Sequence, residues 1–543
     1  MALFFYLCYN MLMDKNSLEG PIVLAVLDGV GYSTEDHGNA LIHAKIPFLR
    51  KALSEYPTFF LNASGEYVGI SRGTMGNSEV GHNTIGTGQI VRQGIENVNF
   101  AFESGDIFRS RAWLEAMNRC KSGATLHFSG IFSDGGVHGH IDHLEKLITE
   151  ANREGIMRIR LHLVFDGRDV APQSEPKFIS RIEEFLSQFD GCDYRIADGG
   201  GRMVYVADRY MSDWGMVKVG YDAMVHGASD RYFHFATEAI ETLRRENPSV
   251  QDQYLPSFVI TDDENKPVGV IEEGDALIYT DFRADRAIEI AMAFTYEDFP
   301  YFDRGFENNR RPDILFVGMT EYDSRTHVPE FRLVEPIVFD KPLNAFLGEH
   351  GISQFAVSET VKFGHITYYF NGNSYDVAPG EVHEKIPSYE RPFNECPWMK
   401  SMEIADSVIN ACDHYRFIRC NFPGGDMVGH LGELAPTVIA LDSIDLALAR
   451  IAKKVDELGG ILLITADHGN CEELLDENNN PKTYHTTNLV PFIIYDNTDS
   501  RRSYRPANIQ NPGLANIAST IADLFGLPTH PDSWHDSLIK TSL

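Results

Sequence analysis

The sequence predicts an α/β protein built on a largely parallel sheet, and three observations carry that prediction. Short apolar runs recur along the chain, polar residues cluster where the runs stop, and amphipathic stretches lie between them. Pro21 to Leu27 (PIVLAVL) reads as a buried parallel strand, because it is apolar and branched throughout and stops at Asp28-Gly29. The pattern returns in ATLHFSGIFSDGG, RLHLVFDGRD, DALIYTDFRADR, DILFVGMTEYD, GGILLITADHGN and VPFIIYDN. Between them lie helical stretches such as HLEKLITEANREG, SRIEEFLSQF and TVIALDSIDLALARIAKKVDELGG. Ligands of such sheets sit beyond the carboxyl ends of the strands. Here those ends carry DG, SDGG, DGRD, DFRADR and ADHGN, so the active groups are expected along them. The polar stretch from Asn371 to Met399, with four prolines, reads as an extended loop or lid.

A chain of 543 residues is too long for one ordinary core. With 43% hydrophobic and 23% charged residues it has the composition of a globular protein. Its formal net charge of -31 repels nucleic acid and anionic membranes. Any phosphate site must therefore be a local knot of cations. The seven cysteines show no CxxC pair and no regular spacing, which suits free thiols in a reducing compartment. No apolar run reaches the ~18 residues that span a bilayer. The opening MALFFYLCYNMLM lacks a basic start and a small-residue cleavage site, so residues 1–20 are expected to be an extension rather than a signal peptide. A cytoplasmic location is expected.

Carboxylate and imidazole groups fall together in separate segments. Asp426 and His430 share one face if their segment is helical. Asp467 and His468 end the strand ILLITADHGN, and His485 precedes another strand. With Asp28 they make six oxygen and nitrogen donors without a thiolate, a set for Mn²⁺, Zn²⁺ or Mg²⁺ rather than copper or an iron–sulfur cluster. Ser78, in TMGNSEVGHNTIGTG, is flanked by Gly76, Gly81 and His82, where backbone amides can approach an anion. Its hydroxyl is too weak an acid to ionise unaided, but a dication can make it a nucleophile at neutral pH. Each motif alone has an ordinary reading, a solvated helix face or a helix cap. Their coincidence at strand ends points to metal-assisted chemistry.

Taken together these segments resemble the cofactor-independent phosphoglycerate mutases of the alkaline phosphatase superfamily. The matching stretches are VLDGVG, MGNSEVGHNTIGTGQIVRQ, SDGGVHGHIDHL, DGRDVAPQS, GGGRM, DFRADRA, SETVKFGHITYYFNG, DMVGH, TADHGN and HTTNLVPF, in family order from about residue 22 to residue 494. The resemblance implies an alkaline-phosphatase-like α/β/α metal domain over residues 21–92 plus 336–543, with an inserted α/β phosphotransferase domain at 93–335. It implies two divalent ions, most commonly manganese, with magnesium, cobalt or zinc as alternatives. Asp28, Ser78, Asp467 and His468 would hold one; Asp426, His430 and His485 would hold the other. Ser78 would be the nucleophile and Asp169 the general acid/base. Lys362 would neutralise phosphoryl charge and touch the substrate, alongside His138, Arg168, Arg202, Arg209, Arg283 and Arg286. Arg283 and Arg286, three residues apart, would lie side by side if helical. The implied reaction moves a phosphoryl group between the 3- and 2-hydroxyls of glycerate, through a phosphoserine and without 2,3-bisphosphoglycerate, as a step of glycolysis and gluconeogenesis. The implied partner is that small molecule alone, with no nucleic acid and no membrane, and the protein a monomer.

Four positions depart from the family pattern. Asp281 stands where asparagine is usual and adds negative charge beside the arginines. Ala207, Gly139 and Leu431 replace methionine, serine and threonine. The metal core alone would also suit a phosphohydrolase or a phosphopentomutase, against which SDGGVHGH, DGRD and DFRADR argue. A catalytically silent binding relative is the reading from another class. The intact Ser78 and donor set argue against it.

Overall fold

A computed structural model describes residues 18, 20–208, 211–498, 504–527 and 529–540. Almost all of the proposed extension, and Arg209, lie outside the described residues. The fold is α/β throughout, as the strand pattern predicts, and it divides into two compact units. One combines the chain up to Gln93 with the chain from Ile337 onward; the other is Gly94–Pro336.

The first unit is organised by a seven-stranded sheet. Across it the order is Glu381–Ile386, Gln354–Glu359, Phe417–Phe422, Ile22–Leu27, Ile461–Thr465, Val490–Tyr495 and Thr58–Leu61. The first five run parallel and the last two antiparallel to their neighbours. Ile22–Leu27 lies near the middle and is fully buried at every residue, which is why its sequence is an unbroken apolar run. The helix Leu434–Glu457 joins the same core through Leu441, Ile444, Leu448, Ile451 and Val455, an apolar stripe at helical spacing. No helix among the described residues is long and apolar enough to cross a membrane.

The second unit holds an eight-stranded sheet in the order Phe331–Arg332, Leu315–Gly318, Ala276–Tyr279, Leu126–Phe132, Arg158–Phe165, Asp193–Gly201, Phe258–Ile260 and Tyr232–Phe233. Only the Asp193–Gly201 and Phe258–Ile260 pairing is antiparallel. Both faces are apolar. Ala276 and Ile278 join one core cluster while Leu277 and Tyr279 join another, as successive residues of a strand covered on both sides must. All seven runs read from the sequence are strands here. Two of the longer strands that escaped the reading have interrupted apolar runs: Phe417–Phe422 contains Arg419 and Asn421, and Asp193–Gly201 ends in three glycines. The stretch expected to be an extended loop from Asn371 to Met399 contains the strand Glu381–Ile386 instead. As an edge strand it pairs on one side only, so little of it is buried and its sequence stays polar.

Arg419 explains how such a polar strand is held. Its guanidinium is fully buried, pairs with Glu381, donates from Nε to the Ile366 carbonyl at 2.9 Å, and reaches the Asn371 Oδ1 at 3.0 Å. Burial alone would raise the Glu381 carboxyl, but Arg419 outweighs it and, with His383 and Asn344, holds it well below the usual carboxylate range. Arg419→Met is expected to cost about 3–5 kcal/mol at neutral pH, because it leaves a buried carboxylate unpaired. Glu381 gives stability above the carboxylate range that is lost on acidification, so the variant's deficit should shrink as pH falls. Urea melts at pH 7 and pH 4.5 check this. An equal midpoint for parent and variant at pH 7 would contradict it.

Candidate active site

The register of the first sheet brings three strand ends together. Leu27 pairs with Phe422 and Val26 with Thr465, so Asp28, the segment carrying Asp426, and Asp467 all follow aligned strands. Asp426 lies in the short helix Gly424–Met427 and His430 in the turn Gly429–Leu431. His430 Nε2 comes to 3.1 Å from Asp426 Oδ1, the shared face their spacing predicts. Ser78 opens the helix Ser78–Thr87, whose cap is the neighbouring Asn77, with its side chain accepting from the Val80 amide. Ser78 is therefore not the cap. It is buried, with its hydroxyl at the positive end of that helix.

The Ser78 Oγ lies 3.2 Å from Asp28 Oδ1, 3.0 Å from His468 Nε2 and 2.5 Å from the Lys362 ammonium. Lys362 also donates to Asp28 at 2.8 Å and lies 2.6 Å from Asp426 Oδ2. Burial disfavours its charge, but Asp28, Asp426 and Asp467 outweigh burial and push the ammonium above its ordinary range. In return, Lys362 offsets burial and holds the Asp28 and Asp426 carboxyls well down. A serine hydroxyl, a lysine and ionised carboxylates thus share one buried point.

The imidazoles around it are oriented for a cation. His430 Nδ1 donates to the Thr483 carbonyl at 2.7 Å and His485 Nδ1 to the Gly76 carbonyl at 2.8 Å. A carbonyl can only accept, so each Nδ1 carries the hydrogen and each neutral ring presents a bare Nε2. Those two nitrogens face each other at 3.1 Å, and His485 Nε2 is 3.0 Å from Asp426 Oδ1. Bare lone pairs and carboxylate oxygens converging in this way fit a divalent ion, with backbone carbonyls as the outer support. Asp28, Asp467 and His468 present donor atoms within 4.8 Å of one another, and so do Asp426, His468 and His485. His468 belongs to both groups, a sharing that motif spacing does not reveal. Burial would lower its pKa, but Asp467, Asp28 and Asp426 outweigh burial and raise it to about 9.

Two more residues hold this arrangement. Asn421 Nδ2 donates to Asp28 Oδ2 at 2.7 Å and lies 3.0 Å from His82 Nε2. His82 Nδ1 donates to the Ser78 carbonyl at 2.8 Å. Asn421 escaped the sequence reading. The available signal was a polar residue at the end of an otherwise buried strand, FIRCNF.

In the second unit, the ends of adjacent parallel strands gather a second cluster. Arg202 is buried and donates to both Asp166 Oδ1 and Asp169 Oδ2 at 2.6 Å, and its other nitrogen lies 2.8 Å from His138 Nε2. Asp166, also missed, accepts the Ser133 hydroxyl at 2.6 Å and the Asp169 amide at 3.1 Å, which shapes the DGRD turn. Arg168 is exposed. Arg283 and Arg286 differ in surroundings: Arg283 is half-exposed and lies 3.3 Å from Asp285, whereas Arg286 is buried and donates to the Ala207 carbonyl at 2.6 Å. Asp281 is fully buried, with Oδ1 accepting from the Ile131 amide at 2.7 Å. Burial pushes its carboxyl up to about 7, so the extra charge expected beside the arginines is only partly present at neutral pH.

The chain matches the model of the Metalloenzyme superfamily over residues 20–529. A probable 2,3-bisphosphoglycerate-independent phosphoglycerate mutase of Leptospira interrogans is 44% identical over 541 residues, covering 96% of this chain and 97% of that protein. The Trypanosoma brucei brucei enzyme of the same name is 39% identical, with 96% and 97% covered. This chain belongs to the 2,3-bisphosphoglycerate-independent phosphoglycerate mutases. A crystal structure of Leishmania mexicana phosphoglycerate mutase at low cobalt concentration superposes with a TM-score of 0.74, at 38% identity, over 97% of this chain and 99% of that one. The mutase family thus accounts for both units and not only for the one that carries Ser78.

Proposed function

We propose that this chain interconverts 3-phosphoglycerate and 2-phosphoglycerate through a phosphoserine at Ser78, with no 2,3-bisphosphoglycerate. The observation that carries the reading is the Ser78 hydroxyl at 2.5 Å from the buried Lys362 ammonium, beside the Asp28 and His468 donors. Two divalent ions, for which manganese suits the oxygen and nitrogen donors, would lower the pKa of the serine hydroxyl and withdraw charge from the phosphoryl oxygens. Asp28, Asp467 and His468 would hold one, and Asp426, His430 and His485 the other.

The chain's own groups do the rest. Ser78 Oγ, its proton given up to water beforehand and the alkoxide regained at the end of the cycle, bonds to phosphorus as the bond from phosphorus to O3 breaks, and Lys362 meets the charge that develops on the phosphoryl oxygens. Asp169 gives a proton to the departing O3. It then takes one from the 2-hydroxyl, whose oxygen bonds to phosphorus as the bond to Ser78 breaks. Arg202, Arg283, Arg286, Arg168 and His138 hold the carboxylate and phosphate, arginine's fork suiting both. The Arg202 contacts with Asp169 and His138 support these roles, because they keep the acid/base and an anion-binding guanidinium in one cluster, with Asp169 at its partly exposed side.

A coupled assay of 3-phosphoglycerate conversion, run without 2,3-bisphosphoglycerate, tests the reading. Turnover to 2-phosphoglycerate with no net phosphate release is the expected result. Phosphate release without the isomer would make the protein a hydrolase instead.

A further inference from the structure

One carboxylate outside the donor set ties together the three loops that carry the donors. Glu472 is 1% exposed. Its Oε2 accepts from the Gly31 amide at 3.0 Å and the Asn470 amide at 2.9 Å. Its Oε1 accepts from the Asn488 side-chain amide at 3.0 Å and from the Thr486 hydroxyl. Gly31 lies just beyond Asp28, Asn470 just beyond His468, and Thr486 next to His485. The loops after two parallel strands and the one entering an antiparallel strand therefore end on the same side chain.

The packing leaves space for nothing else there. A Cβ on Gly31 would lie 2.4 Å from the Glu472 Cδ, and one on Gly469 would lie 2.3 Å from its Oε1. The carboxylate crowds Gly31, and the carboxylate together with the Thr486 hydroxyl, 2.2 Å from such a Cβ, crowds Gly469. No lysine or arginine pairs with Glu472 among the described residues, so its charge is offset by four neutral donors. Removing it would leave two backbone amides and two side-chain donors without their shared acceptor, and would free three loops from one another.

We propose that Glu472 is a positioning residue of the divalent-metal site, holding the Asp28, His468 and His485 loops in the arrangement that an ion meets. The proposal rests on reading that site as a metal centre. Outer-shell groups of this kind typically set metal affinity by 10–100-fold. Glu472→Gln keeps an oxygen for the Gly31 and Asn470 amides, and its amide can donate to Thr486 and to a turned Asn488. Glu472→Ala keeps neither.

The test is Mn²⁺ affinity of the full chain, by competition with a chelating dye, for the parent, Glu472→Ala, Glu472→Gln, Thr486→Val and Asp467→Asn. Circular dichroism and melting of the metal-free proteins run alongside. The expected order is Glu472→Ala weakened by about 10–100-fold and Glu472→Gln by less than about tenfold, each in folded metal-free protein. If Glu472→Ala does not fold, Glu472→Gln and Thr486→Val carry the test, each with a measurable loss of affinity. Folded variants that bind Mn²⁺ within twofold of the parent, while Asp467→Asn does not, would overturn the positioning role and leave the metal centre standing. A parent that binds no Mn²⁺ would overturn the metal centre, and the proposal with it.

Discussion

Ser78→Ala is expected to lower turnover of 3-phosphoglycerate by at least about 10⁴-fold, or roughly 5 kcal/mol of transition-state stabilisation. Among the described residues of the first unit, nothing else stands where Ser78 does. Its oxygen is reached by Lys362, Asp28 and His468 together, and burial keeps bulk water from substituting for it. The loss should appear in turnover rather than in folding, because the helix is capped by Asn77 and an alanine is tolerated at its first residue. Manganese affinity should fall by less than about tenfold, since the charged and imidazole donors remain. Rapid quenching with ³²P-labelled substrate should trap phosphoenzyme in the parent and none in the variant. A variant that still forms phosphoenzyme would move the nucleophile elsewhere.

Metal removal should be as severe, and its pH dependence follows from the histidines. In the metal-free protein, the neighbouring carboxylates outweigh burial to hold His468 up to about 9, and the hydrogen bond to Asp426 raises His430. An ion needs both rings neutral, so it must displace their protons. Affinity should therefore fall about tenfold per pH unit as pH drops below 9, and more steeply once His430 also protonates. Dialysis against EDTA should abolish turnover and lower the melting temperature, and Mn²⁺ should restore both. Calorimetry in two buffers of different ionisation enthalpy would count the protons released. Affinity unchanged between pH 6 and pH 8 would remove His468 and His430 from the donor set.

The strands that end at the candidate donors were legible because a parallel strand buried on both faces must be apolar from end to end. PIVLAVL and ILLITADHGN could hardly be anything else, and their polar stops name Asp28, Asp467 and His468. Phe417–Phe422 was not legible, since Arg419 and Asn421 interrupt its apolar run. Both are buried, and their partners, Glu381 and Asp28, come from other segments, 38 and 393 residues away. The arginines show the same divide. In the sequence Arg202, Arg283 and Arg286 look equivalent, yet Arg202 is buried against two carboxylates, Arg286 against a carbonyl, and Arg283 reaches solvent.

The sequence by itself determined the fold class, the chemical character of the candidate donors, the candidate nucleophile and the family, because these depend on residue type, local periodicity and short motifs. The tertiary structure alone decided that His468 serves two donor groups, that His430 and His485 expose Nε2, and that Lys362 lies against Ser78. Glu472 acquires its place in the same way, from loops more than 400 residues apart. The reason is physical. Local patterns specify which groups end each strand, but only the register between strands, Leu27 beside Phe422 and Val26 beside Thr465, sets the distances at which those groups meet.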